Sequence, residues 1–261
     1  MLQFGKIAIV GAGNVAYTLC KVLKNKEIKP YCVYVRDAAK AEKMRQDLGV
    51  ETVLDYEKVL NSDFLIIAVR DDEIAEVASH IVDYKGLVVH TSGAKSSEVL
   101  NRIERYGVLY TPFTMSKERE VSFDNVPLLI YANSPEDLIR LNGFAEQLSS
   151  KVEYCDDEQR KVIHLAAVFV SNFTNLMLGI GDKIMKDNGL SLDLMHPLVK
   201  EMIQKSFEIS PDNALTGPAR RGDLETIHNH EEMLANHPKE LEIYRVLTNY
   251  ILEKYHNNEK L

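Results

Sequence analysis

Short apolar runs alternate with longer amphipathic stretches over the first 150 residues of the chain. Residues 6–10 contain a continuous apolar run, which is typical of a parallel strand covered on both faces. Regular alternation of strand and helix indicates the α/β class, with a mostly parallel sheet and helices on both of its faces. The predicted strands are residues 6–10, 31–35, 64–69, 87–90, 108–111, 126–131 and 152–154. The predicted helices among them are residues 15–23, 38–48, 72–82, 96–106 and 135–149, the last with Ser134 as its N-cap.

The pattern changes near residue 155, beyond which the sequence favours helices alone. We therefore predict two domains, residues 1–155 and an all-α second domain of residues 156–261. The first helix of the second domain is apolar almost all round, which predicts a buried core helix. The predicted helices are residues 157–186, 191–209, 222–236 and 238–255, with turns or loops at 210–213 and 215–218.

Composition narrows the class of protein. The 261 residues are 45% apolar and 27% charged, as in globular proteins, which excludes low-complexity disorder. With 31 Lys and Arg against 39 Asp and Glu, the net charge is −8, so a nucleic-acid partner is not expected. The three cysteines are far apart and form no CxxC pair, which favours a reducing cytoplasm. The sequence shows neither a signal-peptide pattern nor a run of about 20 apolar residues, so no membrane partner is expected.

A glycine-rich turn follows the first predicted strand and opens the first predicted helix. It matches G-x-G-x-x-A, the pattern of a dinucleotide-binding turn. The first glycine permits the tight turn, the second lets the backbone approach a pyrophosphate, and the final alanine lets helix and strand pack closely. The alternative is a glycine turn with no ligand. The predicted cofactor-binding residues in this turn are Gly11, Ala12, Gly13, Asn14 and Val15.

The residue at the end of the second predicted strand helps to distinguish NAD from NADP. An arginine at this place pairs with a 2′-phosphate, whereas an acidic residue accepts hydrogen bonds from a free 2′-hydroxyl. Arg36 comes first after the strand and Asp37 second, so the sequence favours NADP over NAD, with Lys40 as a possible helper. The alternative is that Arg36 is only a solvated charge at a strand end.

Several segments carry a resemblance to a known family. They are Gly11–Ala16, Val35–Asp37, Ile66–Ile74, His90–Ala94, Tyr110–Phe113, His164–Ala167 with Ser171-Asn172, and Leu215–Asp223. Together they resemble the pyrroline-carboxylate reductase and hydroxyacid dehydrogenase superfamily. More closely, the chain is similar to a group of NADP oxidoreductases that join a Rossmann-like domain to a helical domain of unknown function.

The resemblance implies an NADP-binding first domain, a second domain for substrate and dimerisation, and a homodimer. It makes a small carbonyl or imine compound, such as an oxo-acid, the expected substrate. One feature departs from the hydroxyacid dehydrogenases, which carry Lys-x-x-x-Asn on the first long helix of the second domain. Four residues before Asn172 is Val168, and four before Asn175 is Ser171, so the lysine proton donor of those enzymes is missing.

Polar residues on the apolar helix are candidates for chemistry. His164, Ser171, Asn175 and Asp182 fall close to one line along a regular α-helix. Such a stripe either lines a wet cleft or belongs to a satisfied structural network or a dimer contact. His164 is the candidate proton donor, because a histidine side chain can exchange a proton near neutral pH. Ser92, which follows the fourth strand, and Asn172 are the other candidate catalytic residues.

Further candidates complete the predicted site. Val69 ends the third strand and Arg70 follows it, and both are expected to touch the cofactor, while Gly93 and Pro112 are expected at the substrate. Arg220 and Arg221 could clamp a carboxylate or phosphate, or could be solvated in a helix connection that Asp223 caps. His228, His230, Glu231 and His237 lack the spacing of zinc ligands on a helix, so no metal is expected.

The sequence thus favours a cytoplasmic NADP-dependent oxidoreductase that moves a hydride to or from a small carbonyl or imine compound. A competing hypothesis is a non-catalytic NADP-binding module or redox sensor, which the missing lysine favours. A third hypothesis replaces the nicotinamide with a deazaflavin coenzyme, which the superfamily allows and no residue of this chain supports.

Overall fold

The computed structural model describes residues 5–256 of the chain. Its strands form one sheet in the order β3-β2-β1-β4-β5-β6-β7-β8, in which every neighbouring pair is parallel except β6 and β7. The predicted α/β class, a mostly parallel Rossmann-like sheet followed by an all-helical region, is therefore confirmed. The strands are β1 (Ile7–Val10), β2 (Cys32–Tyr34), β3 (Thr52–Val53), β4 (Phe64–Ile67), β5 (Leu87–His90), β6 (Tyr106–Tyr110), β7 (Leu128–Ala132) and β8 (Val152–Tyr154).

Helices cover both faces of this sheet. In β1, Ile7 and Ile9 pack into one buried apolar cluster, while Ala8 and Val10 pack into a second. Alternate side chains of a strand point to opposite faces, so the continuous apolar run of β1 reflects burial on both sides. The helices of this part are α1 (Asn14–Asn25), α2 (Ala38–Leu48), α3 (Glu57–Leu60), α4 (Ile74–Ser79), α5 (Pro135–Leu148) and α6 (Asp157–Ala167).

The segment 96–106 was expected to be a helix, and that expectation is wrong. The structure has a short 3₁₀ turn at Ser97–Leu100, and β6 already begins at Tyr106. Asp157 holds this turn, because its carboxylate accepts hydrogen bonds from the Ser97 N–H at 2.8 Å and from the Ser96 hydroxyl. A contact between segments some 60 residues apart therefore decides the local structure, against the helical pattern of the segment itself.

The predicted single helix over 157–186 contains an irregularity. A π-helical segment at Val168–Phe173 separates α6 from α7 (Thr174–Asp187). A π turn adds a residue to the helical repeat, so the predicted straight line of His164, Ser171, Asn175 and Asp182 does not hold. The remaining helices are α8 (His196–Ile209), α9 (Pro211–Ala214), α10 (Pro218–Arg221), α11 (Leu224–Met233) and α12 (Pro238–His256).

The segments 210–213 and 215–218 were expected to be turns or loops. Short helices begin in both, α9 at Pro211 and α10 at Pro218. In each case proline occupies the first turn, where its missing N–H costs no helical hydrogen bond.

The chain divides into two compact units, of which the first ends at Asn172 and the second starts at Phe173. The domain boundary at residue 155 was predicted from the point where strands give way to helices. This division instead separates two groups of residues that make most of their contacts within their own group. The boundary between the 1–155 and 156–261 domains therefore stays a prediction.

The helical segment Asp157–Asp187 was expected to be buried, and within the described chain this is wrong. Its most apolar stretch has a mean hydropathy of 1.5, yet none of that stretch is buried. By length and composition alone it could cross a membrane, a test that core helices of other proteins also pass. The apolar character of this helix is therefore not explained by packing within one described chain.

Candidate active site

The glycine-rich turn lies where the order of the sheet reverses, between β1 and β4. Gly11 has a φ of +132°, and a Cβ added there would come within 2.2 Å of the Ala68 carbonyl oxygen at the end of β4. Only glycine fits this close approach of two strand ends. Ligands of open α/β sheets bind beyond the carboxyl ends of the strands at such a reversal point. The turn therefore lies at the expected position of a nucleotide site.

Helix α1 begins at this turn without a side-chain cap. Gly13 is its N-cap residue, no acidic residue stands in its first turn, and a Cβ added to Gly13 would meet no atom within 4 Å. The first N–H groups of a helix lack partners within the helix and favour a negatively charged group. Ala16 is fully buried, so the helix packs directly against the sheet. These features fit a pyrophosphate held by backbone amides.

A cavity of about 590 Å³, here called the glycine-turn cavity, extends from this turn. Asn14, Val15, Val69 and Arg70 line it, together with the whole glycine turn. Arg70 points its guanidinium at Asp72, with N–O distances of 2.9 and 3.1 Å. The residues predicted to bind a cofactor are thus brought together around one cavity, which the sequence could only infer from their positions at strand ends.

Arg36, Asp37 and Lys40 line the same cavity. The Asp37 carboxylate accepts a hydrogen bond from the Lys40 N–H at 2.9 Å and so caps α2. Its role at a helix N-terminus competes with a role as acceptor for a ribose hydroxyl. The Arg36 side chain is 70% exposed, and its guanidinium donates to Glu73 at 2.9 Å. Arg36 is therefore an exposed, paired cation at the place where the sequence predicted one.

A second cavity of about 280 Å³, here called the His164 cavity, opens beside the first, and Val15 and Val69 line both. It lies beyond the carboxyl ends of β5 and β6, which run parallel. The predicted substrate-side and catalytic residues of the first unit all line it. They are Ser92, Gly93, Pro112, His164 and Asn172.

Tyr110, the last residue of β6, meets His164 in this cavity. Its hydroxyl lies 3.2 Å from His164 Nδ1, and the two rings are edge to face with centroids 6.0 Å apart. Burial raises the pKa of the Tyr110 phenol, although the Arg160 charge opposes this. The phenol therefore keeps its proton at neutral pH. When it donates that proton to Nδ1, the neutral imidazole carries its own proton on Nε2.

Gly93 makes this pairing possible. A Cβ at Gly93 would lie 2.6 Å from His164 Nδ1 and 2.7 Å from Tyr110 Cζ, closer than any side chain could pack. Gly93 was predicted to lie at the substrate, whereas no role was predicted for Tyr110. The missed signal was its position at the carboxyl edge of the sheet, one strand beyond Ser92.

Ser92 and Asn172 both line the His164 cavity but differ in the contacts of their side chains. The Ser92 oxygen accepts hydrogen bonds from the Ala94 and Lys95 N–H groups at 3.2 and 3.0 Å. Its hydroxyl proton remains available to a ligand, so the residue shapes the loop and can still donate. Asn172 reaches the cavity because it lies in the π-helical segment. Neighbouring Ser171 also lines the cavity and contacts the Thr114 hydroxyl at 3.2 Å.

A buried ion pair ties the helix of His164 to the loop of Ser92. Arg160 is fully buried and donates to the Lys95 carbonyl at 2.6 Å and to Asp157 at 2.7 Å. Burial alone would raise the pKa of Asp157, but hydrogen bonds from Ser96 and Arg160 outweigh it and hold the pKa below its ordinary value. Asp157, Arg160 and His164 recur at three- and four-residue spacing on α6, so this anchor sets where His164 is held.

His90, at the end of β5, is buried behind this site. Burial and then the Arg160 charge lower its pKa to about 4, so the ring is neutral at pH 7. Its Nδ1 accepts a hydrogen bond from the Ser92 N–H at 3.2 Å. Neither His90 nor Arg160 was among the predicted site residues, because their burial and pairing depend on contacts between β5 and α6.

The two predicted arginines of the second unit have contacts within that unit. The Arg220 guanidinium lies 4.1 Å from the centre of the Tyr255 ring, and Arg221 lies 3.7 Å from Asp223. Asp223 caps α11 by accepting from the Thr226 N–H at 3.1 Å, as the alternative interpretation expected. Their role toward a substrate stays a prediction.

The histidine-rich segment of the second unit forms side-chain pairs. His228 lies 3.2 Å from Glu232, and His230 Nδ1 lies 3.0 Å from the Tyr244 hydroxyl. Across residues 5–256 there is no group of three or more His, Cys, Asp or Glu side chains placed to hold a metal ion.

Comparisons with family models match both parts of the chain. Residues 3–115 match the Rossmann-like domain, and residues 126–251 match DUF2520, a domain of unknown function. No curated protein matches the chain.

Solved structures extend these matches over nearly the whole length. A Bacteroides fragilis protein described as a "putative NADP oxidoreductase" is 38% identical, with a TM-score of 0.90, and the match covers 95% of this chain and 98% of that one. An Aspergillus terreus reductive aminase, solved with NADPH and ethyl-5-oxohexanoate, is 14% identical, with a TM-score of 0.72 over 97% and 94% of the chains. A Coxiella burnetii pyrroline-5-carboxylate reductase is 15% identical, with a TM-score of 0.59 over 99% and 100%. The last two similarities show a shared fold.

Proposed function

Because this chain belongs to the family that joins a Rossmann-like domain to DUF2520, we propose that it is an NADP-dependent oxidoreductase acting on a small carbonyl or imine compound. The observation that carries the proposal is the position of the Tyr110–His164 pair in a cavity that shares Val15 and Val69 with the glycine-turn cavity. A proton-handling pair and a nucleotide cradle are thus side by side within one unit.

The residues present fit a pyridine dinucleotide. Gly11 and the uncapped start of α1 would hold the pyrophosphate, and Arg36 would hold the 2′-phosphate of NADP. Val69 and Val15 would lie between the nucleotide and the substrate. The bound cofactor supplies or accepts the hydride, and the protein supplies position and polarity.

In this proposal His164 enters the step as the imidazolium and gives one proton to the substrate oxygen or nitrogen while the neighbouring carbon receives the hydride, so the ring is left neutral. The Tyr110 hydroxyl occupies His164 Nδ1, which leaves Nε2 as the ring nitrogen that faces the substrate. Ser92 and Asn172 orient the substrate, with Gly93 and Pro112 forming part of the wall. His164 thereby replaces the lysine that the hydroxyacid dehydrogenases use.

A second candidate function is a non-catalytic NADP-binding module or redox sensor. The observation that favours it is the absence of the Lys-x-x-x-Asn pair, since Val168 and Ser171 stand at the two possible lysine positions. Both functions predict NADPH binding. They differ in whether bound NADPH is oxidised by a substrate.

Two measurements test the proposal. Titration of the protein with NADPH, followed by fluorescence, measures binding, and loss of NADPH absorbance with a panel of oxo-acids, ketones and cyclic imines measures turnover. We expect His164→Ala to lower kcat by roughly 100-fold, the size of a general acid's contribution, with NADPH affinity nearly unchanged. His228→Ala, at an exposed histidine, is the matched control.

Four outcomes bear on these hypotheses. NADPH oxidation that depends on His164 supports the proposal. Binding without oxidation of NADPH by any compound of the panel supports the sensor. Lack of affinity for every pyridine dinucleotide overturns both, and an equal loss of turnover and NADPH affinity in His164→Ala argues against the proton role.

We also propose a cytoplasmic homodimer in which a second copy covers the apolar helices of the second unit. Neither α7 nor α8 has a buried residue, and exposed side chains on them include Leu176, Leu198 and Phe207. Large exposed apolar surfaces mark interaction sites. The three cysteines Cys20, Cys32 and Cys155 are free, which supports the reducing compartment.

A further inference from the structure

The Arg36 side chain is already engaged in the glycine-turn cavity. Its Nη2 donates to Glu73 Oε1 at 2.9 Å, and both side chains line that cavity. Arg36 is 70% exposed and Glu73 29% exposed, so the carboxylate is the more enclosed partner. The positive charge predicted for a 2′-phosphate is therefore neutralised by a carboxylate within the same cavity.

The contact leaves most of the guanidinium available. A guanidinium has five N–H donors, and the pair uses one of them. Phosphate is recognised best by two parallel N–H groups, and Arg36 retains enough donors for that. Arg36 therefore has enough N–H donors to bind a 2′-phosphate while it remains paired with Glu73. In that arrangement, however, the negative charge of Glu73 lies beside the negative charge of the phosphate.

Within residues 5–256, the hydrogen bond from Arg36 is the one that the Glu73 side chain accepts. It is the N-cap residue of α4, yet its side chain makes no capping hydrogen bond. By contrast, the Asp37 carboxylate is used to cap α2. Asp37 is next to Arg36 in the sequence, and Glu73 contacts it in the structure. Of these two carboxylates, that of Glu73 has no capping role and can accept a hydrogen bond from a ribose hydroxyl.

Two of the other cations of the cavity, Arg70 and Lys117, have their own partners. Arg70 is paired with Asp72, and the Lys117 ammonium lies 4.5 Å from the centre of the Tyr17 ring. Lys40 lends its N–H to Asp37, while its ammonium lies on the exposed start of α2. Arg36 is therefore the cation on which the charge of Glu73 acts most directly.

From this geometry we propose that Glu73 competes with the 2′-phosphate for Arg36 and thereby limits the preference of this chain for NADP over NAD. The inference rests on the proposed function, since it places a dinucleotide in the glycine-turn cavity. With NADP, Glu73 repels the added phosphate. With NAD, the same carboxylate accepts a hydrogen bond from the ribose hydroxyl, the task that Asp37 performs less well because it caps α2.

The test uses fragments that differ only in the phosphate. Calorimetric titration of the full chain with 2′,5′-ADP and with 5′-AMP gives a ratio of affinities that reports recognition of the 2′-phosphate. We expect Glu73→Gln to raise this ratio roughly fivefold to tenfold at low salt, because the amide still accepts from Arg36 but no longer repels phosphate. The gain should shrink in 0.5 M salt, because exposed charges are screened.

Glu76→Gln is the matched control. Glu76 lines the same cavity, and the same substitution removes the same charge there without touching Arg36. We expect it to change the ratio by less than about twofold. Arg36→Gln should bring the 2′,5′-ADP affinity down toward that of 5′-AMP, and Glu73→Gln in that background should raise the ratio less than in the unmodified chain, because only direct repulsion is then left to relieve.

The outcomes distinguish this inference from the function on which it rests. If 2′,5′-ADP and NADPH bind but Glu73→Gln leaves the ratio unchanged or lowers it, the role of Glu73 is overturned and the proposed function stands. An equal rise in Glu76→Gln also overturns it, since the effect would then be general charge. If neither NADPH nor NADH binds the unmodified chain, the proposed function fails first. A parallel change in both fragment affinities would indicate a structural effect and contradict the competition.

Discussion

The two units of this chain differ in how many of their apolar residues they bury. In the first, β1, β4 and β5 are fully buried and helices cover both faces of the sheet. In the second, the buried apolar residues among those described are Ile227, Leu234 and Leu252. The first unit therefore completes a core by itself, whereas the second exposes the apolar side chains that a core would use.

This difference shows what each unit can be expected to do alone. A complete core holds charged groups at fixed positions, so the first unit can position Arg160, Tyr110 and His164. A unit with little burial gains little hydrophobic stabilisation from its own chain, because that stabilisation follows the apolar area removed from water. We therefore expect changes in the first unit to act on folding and chemistry, and changes in the second to act on association.

The largest effect is expected from the buried ion pair of the first unit. Arg160→Met removes the ion-pair partner of the partly buried Asp157 and the hydrogen bond to the Lys95 carbonyl, which should lower the free energy of unfolding by about 3 kcal/mol. Urea denaturation measures the change. The control is Arg245→Met in the second unit, where an exposed arginine pairs with Glu231 and a much smaller loss is expected. Equal losses would contradict the contrast between the units.

A change on the apolar helix of the second unit should separate association from folding. Leu176 is 52% exposed in the chain alone, so Leu176→Asp should leave the fold intact. If a second copy covers it, the buried charge should weaken self-association more than about 100-fold, or roughly 3 kcal/mol. Light scattering at micromolar concentration measures the mass. Ile139→Asp, at a 69% exposed residue of the first unit, should not change it. A monomeric unmodified chain would refute the proposed dimer.

Acid should destabilise the first unit through His90. Its pKa is lowered from 6.5 to about 4 in the folded chain, so the unfolded chain binds more protons between these values. Stability is therefore fully present above pH 6.5 and is lost as the pH falls toward 4, by about 2 kcal/mol at pH 5. Unfolding free energies at pH 7 and pH 5 measure this, and His90→Gln should flatten the dependence. His228→Gln, at an exposed histidine, should leave the pH dependence of stability unchanged. If His90→Gln also leaves it unchanged, the pH dependence arises from other groups.

The smallest of these effects, a selective loss of turnover, is expected at Gly93. A methyl group there meets His164 and Tyr110, so Gly93→Ala should lower kcat on the order of tenfold while NADPH affinity is kept. Gly179→Ala is the comparison in the second unit, because a Cβ there meets no atom within 4 Å beyond its own helix, and a helical alanine stabilises by about 0.5–1 kcal/mol. Unchanged kcat in Gly93→Ala would remove the Tyr110–His164 pair from the mechanism.

The parts of the fold that were predictable are those whose signals are local. The apolar runs predicted the strands Leu87–His90 and Val152–Tyr154 to the residue. Helix α2 begins after Asp37 and ends before Gly49, residue types that favour the start and the end of a helix. The two-residue β3 was missed because its apolar run is too short to stand out from the loop around it. Helix 96–106 was wrong because Asp157, far along the chain, holds that segment as a turn.

The candidate site divides in the same way. Gly11, Gly13 and Arg36 were predicted from a glycine-rich turn and a strand end, which have fixed positions in the sequence, and all three line one cavity. Tyr110, Arg160 and His90 were not found, because each owes its role to a neighbour on another element. The π-helical segment that brings Asn172 to the cavity has no signal in the apolar pattern.

The sequence by itself determined the class of fold, the glycine-rich turn and the change from strands to helices, because apolar periodicity and glycine placement act through backbone geometry within a few residues. The tertiary structure alone decided that Tyr110 faces His164, that Arg160 anchors the loop of Ser92, and that Glu73 occupies Arg36. The physical reason is that hydrogen bonds and ion pairs depend on distances between elements, and those distances exist only once the sheet has been assembled.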